Sequence, residues 1–106
     1  MATVTVIARA RAKQGSEALL KKAIEEVIIP THAEAGCLKY ALHRSLEDPQ
    51  LFVIVEKWVS KDAHAIHMGM PYIRALFQKL PGLLAGPAEI QVFEPLPSGS
   101  PGKSTI

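Results

Sequence analysis

The chain has 106 residues, is 48% apolar and carries a net charge of +2 from twelve basic and ten acidic residues. That length holds one domain, the apolar share excludes disorder over most of it, and the interspersed charges exclude the field that nucleic acid requires. No run approaches the roughly 20 apolar residues of a membrane span, and the start lacks the charged-then-apolar order of a signal peptide. The single cysteine, Cys37, forbids an internal disulfide, so a cytoplasmic protein in a reducing compartment is expected.

Residues 3–11 alternate, with Val4, Val6, Ala8 and Ala10 on one side and Thr3, Thr5, Arg9 and Arg11 on the other. This predicts a strand, and Arg9, Arg11 and Lys13 read as a solvated edge. Ser16 is placed to cap a helix with Glu17 in its first turn. Leu19, Leu20, Ala23, Ile24, Val27 and Ile28 supply its apolar stripe. Pro30 should kink that helix or end its regular part, and Gly36 should close it. "CLKYALHRS" (37–45) reads as a strand with Leu38, Tyr40 and Leu42 on one face and Lys39, Ala41 and His43 on the other. "LEDPQ" is a turn and "LFVIVEKW" (51–58) a third strand, so the pair is a hairpin.

Ser60 should cap a second helix, "SKDAHAIHM", which Gly69 and Pro71 interrupt before "PYIRALFQKL" resumes. "PGLLAGP" is a connection, and "AEIQVFEP" (88–95) the last strand. Residues 1–97 are therefore expected to form the domain, with 98–106 a flexible tail rich in Pro, Gly and Ser. The order β-α-β-β-α-β is the ferredoxin-like split pattern, an α+β fold with a four-stranded antiparallel sheet and helices on one face. Leu51, Phe52, Val53, Ile54 and Val55 are apolar on both sides of the pleat. One chain's helices cannot cover both sheet faces, so a homodimer with its sheets face to face is expected.

"EAGCLKYALHRSLEDP", "FVIVEKWVSKDAHAIHM" and "LLAGPAEIQVFEP", in that order, resemble the antibiotic biosynthesis monooxygenase family, in particular its small quinol-oxidising members. The most specific piece is Glu56-x-Trp58-x-Ser60-x-x-Ala63 followed by His67, supported by Glu34-x-Gly36-Cys37-x-x-Tyr40. The resemblance implies a dimeric α+β barrel with a pocket between sheet and helices. It implies oxidation of a small hydroxylated aromatic or quinol by O2 with no metal, flavin or haem. Many relatives carry a histidine after the proline of the broken helix, where this chain has Tyr72. The haem-degrading branch places Asn, Trp and His where this chain has Ala8, His67 and Phe77, so haem degradation is not expected.

Within that frame His67 is the candidate base, because an imidazole with an ordinary pKa near ~6.5 moves protons at neutral pH. Tyr40 and Tyr72 are candidate oxyanion donors, and Tyr72, with an ordinary pKa near ~10, is a poor base. Trp58 is expected to stack on an aromatic substrate, or to anchor the join of strand and helix. Glu56 shares its strand face with Trp58 and is a candidate for substrate contact or a structural ion pair. His64 lies one turn before His67 and joins the candidate pocket. The two could share a metal only with a third ligand, such as Glu56 or Asp62, so no metal is expected. Met68 and Phe77 belong to an apolar wall that could act as a lid hinged at Gly69 and Pro71. A non-catalytic dimeric small-molecule-binding module and a non-oxidative isomerase are the alternatives that the same pocket allows.

Overall fold

A computed structural model describes residues 2–106. The order is β1 (Val4–Arg11), α1 (Glu17–His32), β2 (Cys37–Arg44), β3 (Leu51–Trp58), α2 (Lys61–Met68), α3 (Pro71–Leu83), β4 (Glu89–Phe93) and α4 (Pro101–Ser104). The four strands form one antiparallel sheet in the order β2-β3-β1-β4. This is the ferredoxin-like arrangement expected from the sequence.

β3 organises the core. Phe52, Ile54, Glu56 and Trp58 are buried under the helices, whereas Leu51, Val53, Val55 and Lys57 are half-buried on the other face. Phe52 and Ile54 join Val6 of β1, Leu20, Ile24 and Val27 of α1, and Ile73, Leu76 and Leu80 of α3 in a single cluster. Burying a side chain such as Phe52 contributes about 1.5–3 kcal/mol. On the open face Ile7 pairs with Val55, which also pairs with Ala41, and Val53 lies one step further along β3.

Several local expectations are corrected. Ser16 occupies the N-cap position of α1, yet its side chain makes no capping bond; its carbonyl accepts from the Leu20 N–H at 2.9 Å. Leu19 is 60% exposed, outside the buried stripe. Pro30 does not end α1, because its missing N–H deprives only one carbonyl of a donor and the next turn still closes. The Ala33 N–H donates to the carbonyls of Ile29 and Pro30, and Ala33 caps the helix in an ordinary right-handed conformation.

Gly36 is therefore not the C-cap. It is needed for proximity, since a Cβ there would lie 2.5 Å from the Cβ of Ala63. The α1–β2 connection is thus pressed against α2. Just beyond it, the β2–β3 register shifts between Cys37 and Lys39, and the bulge turns Leu38 outward, off the face that Tyr40 occupies. α3 runs through Pro81 to Leu83, beyond the predicted end at residue 80, with the Leu84 N–H bonded to the Leu80 carbonyl at 2.8 Å. β4 is shorter than the predicted 88–95. The tail contains one helical turn, α4.

Candidate active site

α2 starts where Ser60 accepts the Ala63 N–H at 3.1 Å, two residues after β3 ends. Its helical period turns His64 and His67 inward, and both are buried. Glu34, on the α1–β2 connection, meets them from the other side. Its Oε2 accepts from His67 Nδ1 at 2.7 Å and from the Tyr72 hydroxyl at 2.5 Å. The Tyr72 hydroxyl also lies 3.3 Å from the Pro30 carbonyl.

A carboxylate can only accept, so the proton of a neutral His67 sits on Nδ1 and its Nε2 is left with a lone pair. Among the described residues the hydrogen bond to the His67 ring runs through Nδ1, to Glu34. The ring is fixed on both sides, tilted against the Trp58 indole at 4.6 Å between centroids and edge-on to Tyr40 at 5.4 Å. Burial and the bond to Glu34 push the Tyr72 phenol up to about 12, so this hydroxyl keeps its proton and serves Glu34 as a donor. Burial, reinforced by the nearby Glu56, drives the Tyr40 phenol well above its ordinary range.

Glu56 is 3% exposed and its Oε1 accepts from Trp58 Nε1 at 2.9 Å. Burial pushes this carboxyl up to about 7; the Trp58 bond opposes the rise and the charge of Glu34 adds to it. His64 Nε2 lies 3.9 Å from the same oxygen, too far for a hydrogen bond, and has no partner. Burial lowers the His64 pKa, with His67 adding to the effect. Burial thus disfavours the charged form of both groups, and at 3.9 Å they stand as a loose pair with no hydrogen bond between them.

These groups stand at one end of a cavity of about 50 Å³ between sheet and helices. His67, Tyr40 and Glu56 form its polar end; Ile24, Phe52, Ile54, Leu76 and Phe77 contribute to its apolar remainder, and Arg9 of β1 also borders it. That is room for about three or four waters and well short of the roughly 150 Å³ that holds a benzene ring. Entry of an aromatic molecule therefore requires wall side chains to move.

Of the side chains singled out in the sequence, Tyr40, Glu56, His67, Met68 and Phe77 line the cavity. Trp58, His64 and Tyr72 do not. Trp58 is fully buried behind His67, with its N–H committed to Glu56, so it supports the site and has no face on the cavity. Tyr72 stands behind Glu34. His43 is exposed on the opposite sheet face from Tyr40, and His32 Nε2 contacts the Tyr40 carbonyl at 3.0 Å. Sequence reasoning gave Glu34 no role. Its partners lie 33 and 38 residues away, so only its place in the Glu34-x-Gly36 stretch could have drawn attention to it. Among the described residues no group of three or more His, Cys, Asp or Glu side chains could hold a metal ion, and no helix is long and apolar enough to cross a membrane.

The profile of the antibiotic biosynthesis monooxygenase family matches residues 3–79. Rv0793 of Mycobacterium tuberculosis is 32% identical over 97 residues, covering 92% of this chain and 95% of its own. Its solved structure superimposes with a TM-score of 0.86, covering 93% of this chain and 100% of the other, at 30% identity. PA3566 of Pseudomonas aeruginosa superimposes with a TM-score of 0.84 at 28% identity, covering 91% and 96%. The Synechocystis protein sll1783 is 33% identical over 67 residues, which are 63% of this chain and 46% of that longer protein. With its profile matched over more than half the chain and its fold shared from end to end with Rv0793, the protein belongs to the antibiotic biosynthesis monooxygenase family.

Proposed function

We propose that the protein is a monooxygenase that oxidises a small hydroxylated aromatic or quinol with O2, using no metal or organic cofactor. One observation carries this reading: a buried imidazole, held at Nδ1 by a buried carboxylate, lines the polar end of a mostly apolar cavity. Family membership supports the reaction class.

In this reading His67 Nε2 takes the proton of a substrate hydroxyl. Glu34, bound to Nδ1, stabilises the imidazolium that forms. The resulting anion is electron-rich and passes an electron to O2 in a cavity whose walls exclude water. The Tyr40 hydroxyl, which burial keeps protonated, holds the substrate oxyanion as a donor. Tyr72, which takes the place of the family histidine, positions Glu34. For a quinol the overall change balances as quinol plus O2 giving hydroxyquinone plus water. One oxygen atom enters the ring and the other leaves as water. Two electrons come from converting the quinol to a quinone and two from replacing a ring C–H by C–OH.

The functional unit is a homodimer in this proposal. Ile7, Val53 and Val55 form an apolar strip on the sheet face that no helix of this chain covers. Val55→Glu should shift the molecular mass in solution from two chains to one in light scattering. An unchanged mass would refute the face-to-face arrangement.

The chemical test is oxygen uptake by the metal-free protein with a panel of quinols, with His67→Ala as control. Uptake above background that falls in the variant is the expected result. Binding of a quinol without uptake would replace the proposal with a binding module, and turnover of aldehydes or ketoses without uptake with an isomerase.

A further inference from the structure

The cavity carries a second pair of proton-bearing groups that the deprotonation step leaves unused. Glu56 reaches the cavity from β3 with its carboxyl almost wholly enclosed. One oxygen is held by the Trp58 indole, and across from that oxygen stands His64 Nε2, buried and without a hydrogen-bond partner. An orphaned buried nitrogen is costly. Glu56 is the neighbour able to satisfy it, its Oε1 accepting from His64 Nε2–H by a shift that closes the 3.9 Å gap and leaves a carboxyl proton free for the cavity. The groups around Glu56 are His64 and His67 from α2, Tyr40 and Cys37 from β2, and Glu34 from the α1–β2 connection; β1 sets Val6 beside it and contributes Arg9 to the lining of the same cavity. Among the described residues no lysine or arginine forms a salt bridge with Glu56.

We propose that Glu56 is a second catalytic proton carrier, held in place by His64, and that it gives its proton to the oxygen that leaves as water. This rests on the monooxygenase reading above. After O2 has joined the ring carbon, the peroxide oxygen takes the proton that His67 holds, and the intermediate is a hydroperoxide on a carbon that still bears hydrogen. The O–O bond breaks, and the electron pair of the C–H bond becomes the second bond of the new C=O. The departing hydroxide takes the Glu56 proton and leaves as water, and the proton from the ring carbon restores Glu56. The step needs no oxidant beyond the peroxide itself. His67, having given its proton to form the hydroperoxide, has none left to lend at this step. His64 acts through Glu56, giving the transient carboxylate a proton-sharing neighbour, and is a positioning residue.

Glu56→Gln keeps an acceptor for the Trp58 N–H and loses the transferable proton, so it separates chemistry from folding. With benzene-1,4-diol as probe, O2 consumed, hydroxyquinone formed and hydrogen peroxide released are measured together over pH 5–9. In the variant the share of consumed O2 that is released as hydrogen peroxide should rise about tenfold or more, the effect of removing a general acid. His64→Phe should raise peroxide release less and move the pH at which coupling is lost. An unchanged product ratio in Glu56→Gln overturns the proposal. A second readout does not depend on turnover: the infrared band of a buried protonated carboxyl should be present at pH 6, absent in Glu56→Gln and displaced in His64→Phe. If that band is present while the wild type consumes no O2 with any quinol, the monooxygenase reading fails and the proton pair stands. If it is absent, the pair itself is refuted.

Discussion

Under α2 the cavity wall is polar: hydrogen bonds tie His67 and Tyr72 to Glu34 and the Trp58 N–H to Glu56, while His64 Nε2 has none. Under α3 the same cavity is walled by Leu76, Phe77 and Leu80, which no hydrogen bond holds. Both regions are helix over sheet, separated by the break at Gly69 and Pro71. The difference teaches a division of labour. Side chains that handle protons need fixed direction, which buried hydrogen bonds give. A wall that admits a ring larger than the resting cavity must repack, which unbonded aliphatic and aromatic groups allow.

The strongest way to break this comparison is His67→Ala. It should lower quinol-dependent O2 uptake by about 100-fold or more, the usual worth of a general base, while circular dichroism stays unchanged. A loss under threefold would remove the imidazole from the chemistry.

The buried carboxyl gives the next effect. Its pKa is raised from 4.5 to about 7 in the folded chain. Between those values the folded state holds more protons than the unfolded one, so this residue's contribution to stability falls as pH rises through that window and is flat above it. The change is on the order of 3 kcal/mol. Urea titrations from pH 4.5 to 8 should show it as a difference between wild type and Glu56→Gln, and parallel profiles would mean that Glu56 ionises normally.

At the other end Leu76→Ala should do the reverse of His67→Ala. It should cost about 2–3 kcal/mol of stability by enlarging the cavity and leave uptake per folded molecule within a few-fold. A loss of uptake as large as that of the histidine variant would erase the distinction between the two ends.

Tyr72→Phe is the mildest case. It removes one of the two donors to Glu34 and should cost about 1 kcal/mol in urea unfolding. Uptake should fall only several-fold, because His67 keeps its carboxylate. A collapse of activity would give this hydroxyl a direct part in the chemistry.

Alternation and caps made most of the fold legible. Val4 to Arg11 and Leu51 to Trp58 read as strands because their periods match the pleat, and Ser60 marked the start of α2. The errors fell where a local rule met a tertiary contact. Gly36 looks like a helix stop, yet its lack of a side chain serves the approach of Ala63. Pro30 and Pro81 look like breaks, yet α1 and α3 continue through them. Of the two readings open for Trp58, stacking wall or packing anchor, the structure agrees with the anchor, with the His67 ring packed against it. Glu34 carries no local signal at all, because an exposed-looking acid after a helix acquires a role only when Nδ1 of His67 and the Tyr72 hydroxyl arrive from across the chain.

The order of residues by itself determined the split β-α-β-β-α-β pattern, the break between the last two long helices, and the candidacy of an imidazole and a carboxyl near the end of β3. These follow from periodicity and backbone chemistry, which act over a few residues. Tertiary structure decided which nitrogen of His67 is free, which carboxylate holds it, and that Glu56 is shut away with His64 rather than paired in water. Those depend on burial and on distances between segments more than 30 residues apart, and no local pattern encodes them.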